Sequence, residues 1–449
     1  MISRRRFIQS SLASALVAPN LIASSLDGPR KLRIAAIGVG NQGFRNIKGM
    51  QSEDMVALCD VDSGFLAKGS QMFPEAKTFQ DFRIMLRELR GEIDAVAIST
   101  PDHTHFPAAI MALGMGKHVF LEKPMAHSVA EVRMLMAEAE NNGVVTQMGN
   151  QGHAFEGTRL IREWYEAGLI GEVREVAAWT NRPVNGVGFI SEQMEYAAPS
   201  PVPGSLDWDL WVGPVTDAPE FSKGMYAPRD WRGWWKFGMG GLGDIGCHTL
   251  DSPFWALDLE IPHKVEVEVE HVNPIFTPPG SVVKFHCRQR GTGEVVPVSW
   301  YEGPRMPAKP GFFGEDELDK RGGLMIVGSE GIIYHPSLRP NSPRLYPKLL
   351  WRDFRKNPSL RPEKKYPRIK GGHIQEWIRA CKGEGPTPGS SFDYAGQLSE
   401  MIVLGTLAIR TGQDIDYDAE EMKITNNPEA DALLRTEARP GFRTQDLVG

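Results

Sequence analysis

The chain has 449 residues, 41% hydrophobic and 24% charged, which suits two to three domains of about 150 residues and excludes a wholly disordered chain. Fifty Lys and Arg against 56 Asp and Glu give a formal net charge of −6, which disfavours a general nucleic-acid binder. No apolar run reaches the roughly 18 to 20 residues of a membrane span, so a multi-span membrane protein is excluded. Cys59, Cys247, Cys287 and Cys381 are too far apart for a CxxC knuckle, and no metal motif is present; His103 and His105 lack a carboxylate at ligand spacing.

Residues 3–9 read SRRRFIQ. Arg4 and Arg5, with Phe7 two positions on, resemble a twin-arginine export signal, followed by a moderately apolar stretch and small residues at Ala23-Ser24-Ser25. Residues 1–30 are therefore expected to be a signal and linker. The mature protein is expected to be periplasmic or extracytoplasmic, without stable membrane insertion.

LRIAAI (32–37) is an apolar run of the kind that forms a buried parallel strand. Gly38-Val39-Gly40-Asn41-Gln42-Gly43 follows at once and leads into a helical pattern. The glycines allow a tight turn, backbone approach to a pyrophosphate and close helix–strand packing. MVALCDVD (55–62) reads as a second strand, with Asp60 twenty residues after Gly40. A carboxylate there suits ribose hydroxyls and repels a 2′-phosphate, favouring NAD over NADP. Helix patterns over 79–90, 105–115 and 128–142 alternate with strand patterns over 93–100, 117–124 and 143–149. This is the signature of a doubly wound parallel sheet, with ligands beyond the strand C-termini.

At Glu122-Lys123-Pro124 the chain resembles the glucose-fructose oxidoreductase / inositol dehydrogenase (Gfo/Idh/MocA) family. The family's marks occur in order: Gly38 to Gly43, the Glu-Lys-Pro strand end, and GGLGDIGCHTLD with Asp244 and His248. The resemblance implies an N-terminal Rossmann domain over 31–152. It implies a C-terminal α/β domain over 153–449 with a large open, mostly antiparallel sheet, which binds substrate and mediates homo-oligomer contact as a dimer or tetramer. It implies a catalytic set of Lys123, Asp244 and His248. The cofactor set is Gly38, Gly40, Asn41, Gln42, Gly43, Asp60, Thr100, Pro101, His105, Glu122, Lys123 and Asn150. Where many members carry an Arg-bearing segment, this chain has Gly149-Asn150-Gln151-Gly152-His153.

Oxidising an alcohol requires loss of a hydride from carbon and of a proton from the hydroxyl. His248 has the unperturbed pKa of a base near neutral pH. Asp244 lies four residues before it, on the same face if the segment is helical. Lys123 offers a fixed positive charge to a developing alkoxide. The expected function is an NAD-dependent oxidoreductase acting on a sugar, polyol or glycoside with tightly held NAD. An exported enzyme has no cytoplasmic nucleotide pool to draw on. The alternative is a redox-neutral glycosidase or lyase working through a transient 3-keto sugar. That chemistry needs a second base, for which Tyr226, Tyr301 and His153 are the candidates.

Beyond 153, strand patterns fall at 172–180, 263–272, 282–290, 294–302 and 324–336. Residues 181–237 and 303–322 read as insertions. Six of the 11 Trp lie between 208 and 255, as core material or sugar platforms. His153, Arg182, Trp231 and Arg232 are the expected substrate contacts, with Asn181 and Arg229 as further polar candidates. Residues 337–370 carry 11 Lys and Arg, two acidic residues and six Pro. This basic arm is expected to be a solvated loop, an arm crossing to another subunit, or a clamp for an anionic substrate.

Overall fold

A computed structural model describes residues 30–183 and 195–448. The expected export signal, and the 184–194 part of the expected 181–237 insertion, lie outside the described residues. No helix among the described residues is long and apolar enough to cross a membrane.

The N-terminal alternation gives β1 (Arg33–Ile37), α1 (Asn41–Lys48), β2 (Asp54–Cys59), α2 (Ser63–Met72), β3 (Lys77–Phe79), α3 (Phe82–Glu88), β4 (Ala95–Ile98), α4 (His105–Gly114), β5 (His118–Leu121), α5 (Val129–Asn142) and β6 (Thr146–Met148). The six strands pair in parallel in the order β3-β2-β1-β4-β5-β6. Strands covered on both faces need apolar residues at every position, and β4 is buried throughout. The order reverses at β1, which puts the crevice for a ligand between β1 and β4. α5 begins with a capping box: the Ser128 hydroxyl accepts from the Glu131 amide while the Glu131 carboxylate accepts from that of Ser128.

α6 (Glu156–Glu166) then leads into β7 (Val173–Thr180), α7 (Trp208–Val212), α8 (Cys247–Thr249), α9 (Asp251–Ala256), β8 (Lys264–Val269), β9 (Ser281–Arg288), β10 (Val295–Glu302), β11 (Gly322–Gly328), β12 (Ile332–His335) and β13 (Arg344–Tyr346). α10 (Lys348–Lys356), α11 (His373–Cys381), α12 (Phe392–Thr411), β14 (Ile415–Asp418) and β15 (Lys423–Ile424) follow. The nine strands run in the order β13-β12-β11-β7-β10-β9-β8-β14-β15, and only the β7–β10 pairing is parallel. The architecture is the expected one, a parallel Rossmann sheet followed by a larger, mostly antiparallel sheet. The apolar run at 324–336 is not one strand but a hairpin, β11 and β12, turning at residues 329–331.

One face of the second sheet, with Val283, Phe285, Val298 and Trp300, joins the main core beneath α12. On the other face the insertion at 303–322 packs Phe313 and Leu318 over Trp179 and Tyr334. Over β8 and β9 that outer face is charged, with Glu266 paired to Lys264 and within ion-pair distance of Lys284 and His286.

The late helices tie the two sheets together. In α12, Glu400 receives Arg133 of α5 at 2.6 and 2.9 Å and the Tyr417 hydroxyl at 2.7 Å. Gly405 of the same helix lies against Phe285 of β9, where a Cβ would come within 2.5 Å of the ring. α11 returns to the first sheet, and its buried Trp377 meets Phe120 of β5 at 5.7 Å between ring centroids. The first sheet is thus completed by chain from beyond residue 370.

Candidate functional site

A cleft of about 680 Å³ runs from the end of β1, across the C-termini of β4 and β5, to the segment around Asp244. Gly38, Gly40, Asn41, Gln42, Asp60, Thr100, Pro101, Glu122, Lys123, Arg182, Trp231, Arg232, Asp244 and His248 all line it.

At the β1 end the geometry follows from the glycines. Gly38 has φ +78°, and a Cβ there would sit 2.6 Å from the Ser99 carbonyl oxygen. A Cβ on Gly43 would come within 1.9 Å of the Gly38 carbonyl oxygen, so only glycine lets α1 start this close to the loop. α1 has no side-chain cap, which leaves its first amides and the positive end of its dipole to an anion. Asp60, just past β2, accepts from the Val39 amide at 2.9 Å and the Asp62 amide at 3.0 Å. Burial pushes its carboxyl up to about 6, against the lowering effect of those bonds. A carboxylate fixed beside the loop still has lone pairs for ribose hydroxyls. The residues fit a dinucleotide.

The other end of the cleft centres on Asp244. It stands in a five-residue π-turn, Leu242–Gly246, that runs directly into α8. The expected regular helix is replaced by this wider turn, yet Asp244 and His248 both face the cleft. Gly246 makes the close approach possible, since a Cβ there would lie 2.6 Å from Ile402 of α12. The Lys123 ammonium, just past β5, donates to the Asp244 carboxylate at 3.0 Å and to its carbonyl at 2.5 Å. Arg182 binds the other carboxylate oxygen, and Arg232 donates to Oδ1 at 3.1 Å. Burial alone would raise the Asp244 pKa, but Lys123, Arg232 and Arg182 outweigh it and hold the carboxyl well below the usual range.

His248 is buried, and its Nε2 lies 2.8 Å from an Arg339 guanidinium nitrogen. Guanidinium only donates, so Nε2 accepts and the ring is the neutral Nδ1–H form. Burial, then the charges of Arg339 and Lys123, press the His248 pKa well below its ordinary value. Asp102, beside the Thr100-Pro101 turn, also lines the cleft, and burial pushes its carboxyl up to about 7.

Several expected contacts lie elsewhere. His105 is buried behind the cleft, with Nδ1 at 2.7 Å from the Pro124 carbonyl and Nε2 at 2.9 Å from that of Thr100. It braces the two turns that carry Lys123 and Thr100 and does not line the cleft. Asn150 is fully buried and accepts from the Ser390 hydroxyl at 2.6 Å. His153 is likewise buried, bound to Asp251 at 2.9 Å beside Tyr394, so it makes no cleft wall and is not an available second base. Tyr226 packs in the aromatic core with Trp211, Trp234 and Phe237, and Tyr301 lies against the Phe313 cluster. Neither reaches the cleft, nor does Asn181. For all but Asn181, a polar side chain met an internal partner or an aromatic neighbour before it met the opening. Of the six clustered Trp, Trp211 and Trp231 line the cleft, and the Arg232 guanidinium lies 4.4 Å from the Trp231 ring centroid.

The basic arm is not a free loop. Arg368 pairs with Glu163, Lys364 with Glu156 and Lys365 with Glu166, so most of its later charge docks on α6. Its first turn, with Leu338 and Arg339, forms part of the cleft wall. Arg339 is a lining residue that was not singled out from the sequence, whereas Asp102 lies in the β4-end segment where ligands were expected. The positive arm was the available signal for Arg339.

Two family models match the chain: an oxidoreductase family with an NAD-binding Rossmann fold over residues 32–150, and the C-terminal α/β domain of the same family over 161–277. An α-N-acetylgalactosaminidase of Shewanella oneidensis is 28% identical over 203 residues, covering 38% of this chain and 44% of the relative. The chain thus spans less than half the length of that curated relative. A glycosyl hydrolase family 109 protein of Shewanella baltica matches to the same extent. Among solved structures, the WlbA dehydrogenase of Bordetella pertussis, crystallised with NADH and UDP-GlcNAcA, superposes over 87% of this chain and 99% of its own at TM-score 0.59 and 18% identity. The aldose-aldose oxidoreductase of Caulobacter crescentus covers 86% of this chain and 100% of its own at TM-score 0.56 and 17% identity. Since a methyl group on Gly43 would collide with the Gly38 carbonyl, Gly43→Ala is expected to weaken NADH binding at least about tenfold in a fluorescence titration. An unchanged Kd would contradict the packing described. The two family models, which together match more than half of the chain, establish that it belongs to the Gfo/Idh/MocA oxidoreductase family.

Proposed function

We propose that the protein is an NAD-dependent oxidoreductase of a sugar, polyol or glycoside hydroxyl. The observation that carries this reading is the convergence of Lys123, Asp244 and His248 on the cleft that also holds the glycine loop and Asp60. When bound, NAD accepts a hydride from the substrate carbon or returns it. Gly38, Gly40 and the first amides of α1 would hold its pyrophosphate, and Asp60 its adenosine ribose, with NAD favoured over NADP. His248 Nε2 is the acceptor for the hydroxyl proton. Lys123, anchored by Asp244, places a fixed charge where the alkoxide develops. The N-terminal residues support export by the twin-arginine route with NAD already bound, and the family supports a homo-oligomer.

The redox-neutral glycosidase reading is favoured by one observation, the likeness to glycosyl hydrolase family 109 proteins. The second base it needs is not Tyr226, Tyr301 or His153. For that base the reading takes Asp102, a cleft carboxyl with its pKa pushed up to about 7 by burial.

The purified protein, without added nucleotide, is to be incubated with neutral and anionic sugars and with aryl glycosides while absorbance at 340 nm and aglycone release are followed together. Stoichiometric reduction without aglycone release supports the dehydrogenase, and catalytic release without lasting NADH supports the glycosidase. No response in either channel contradicts both. Lys123→Met is expected to lower the rate by roughly two to three decades, about 3 to 4 kcal/mol of barrier.

The pH profile follows from the lowered His248 pKa. A depressed pKa keeps the ring neutral as pH falls through the ordinary histidine value of about 6.5. The base is lost only as pH falls through the lowered value. kcat/KM, which reports the free enzyme, is expected to show no acid limb between about pH 7.5 and 6. A limb centred near 6.5 that persists in Asp102→Asn would contradict the environment described for His248.

A further inference from the structure

Arg339 makes no direct ion pair among the described residues, although the Glu122 and Asp244 carboxylates lie near enough to favour its charge. Its guanidinium is largely buried, yet among the described residues its one hydrogen bond is to the neutral Nε2 of His248. Burying a guanidinium is costly unless it is paired. Its backbone is nevertheless held in place. The neighbouring Leu338 carbonyl accepts from the Thr249 hydroxyl of α8 at 3.1 Å, and the Arg339 carbonyl accepts from the Ser337 hydroxyl.

The surrounding charge is also unbalanced. Lys123, Arg182 and Arg232 all bind the single carboxylate of Asp244, and their side chains keep 13%, 28% and 26% exposure toward the cleft. Two other carboxyls lie nearby: burial pushes Asp102 up to about 7 and also raises Glu122, against the opposing effect of Lys123 and Asn46. Glu122 Oε1 already accepts from Asn46 at 2.9 Å and Gln151 at 3.1 Å. Four cations therefore border the reactive end of the cleft, and one of them sits on the lone pair that the proposed base must use.

Resting on the carbohydrate reading above, we propose that the substrate carries an oxyanion substituent, a carboxylate or a phosphate. Arg339 binds that group with help from Arg182 and Arg232. In moving onto the anion Arg339 releases His248 Nε2 to face the substrate hydroxyl. Charge-assisted bidentate contact is what guanidinium groups supply best to carboxylate and phosphate oxygens. A neutral sugar lacks the group that draws Arg339 away and so leaves the base covered. Arg339 is on this account a specificity-determining residue.

The test is binding by the full-length protein of four probes: methyl glucoside, its uronate, glucose 6-phosphate, and tartrate as an anion that is not a sugar. Affinities are read by calorimetry for wild type, Arg339→Gln and Arg339→Lys, with circular dichroism and melting to establish that each variant is folded. The uronate or the sugar phosphate is expected to bind at least about tenfold more tightly than the methyl glucoside. Arg339→Gln is expected to erase that preference and Arg339→Lys to restore part of it. Which anionic sugar is preferred identifies the oxyanion. Equal affinity for neutral and anionic sugars, or a preference that survives Arg339→Gln, overturns the proposal while leaving the carbohydrate reading intact. Arg339-dependent binding of tartrate alone supports the anion site and sinks the carbohydrate reading. Binding of none of the four overturns both.

Discussion

A buried carboxylate held by three cations organises this molecule's reactive end. Asp244 is reached by Lys123 from the end of β5, by Arg182 from beyond β7, and by Arg232 from the Trp-rich segment. Each cation comes from a different part of the chain, so the ion cluster fixes the second sheet and the insertion against the first. Removing a partner from such a buried set leaves an uncompensated charge, which costs several kcal/mol. The geometry of His248, the proposed proton acceptor, depends on it as well, because the turn bearing Asp244 is continuous with the one bearing His248.

The fold supplies this arrangement through ordinary constraints. Parallel strands direct their C-terminal loops to one edge, where the glycine loop, Asp60, Thr100 and Lys123 collect. α12, packed against α5 on one side and β9 on the other, sets the π-turn at the required distance through Ile402 and Gly246. His105 braces the turns from behind. Catalytic geometry must hold to within about 1 Å to be productive, and here packing and backbone hydrogen bonds supply that rigidity.

What the sequence disclosed was local in character. The spacing of Gly38, Gly40, Gly43 and Asp60, the Glu-Lys-Pro strand end and the Asp244/His248 pair are short patterns, each with a physical reason to recur. Arg339 escaped because its partner His248 lies 91 residues away, and a basic Pro-rich run does not reveal which of its arginines turns inward. His105, Asn150 and His153 sit behind the cleft for the opposite reason. Their side chains suit a polar site, but buried backbone carbonyls, Ser390 and Asp251 claimed them first. β3, β13, β14 and β15 hold only two to four residues each, too few for an alternating pattern to register.

The most direct test of the Asp244-centred site is a double-mutant cycle of Lys123→Met and Asp244→Asn, read as single-turnover reduction of bound NAD. The two positions are predicted to be coupled by about 1.5 to 3 kcal/mol, so that the second substitution costs far less once the first is present. Losses that add to within about 0.5 kcal/mol would show that Lys123 and Asp244 act independently, and would contradict the account.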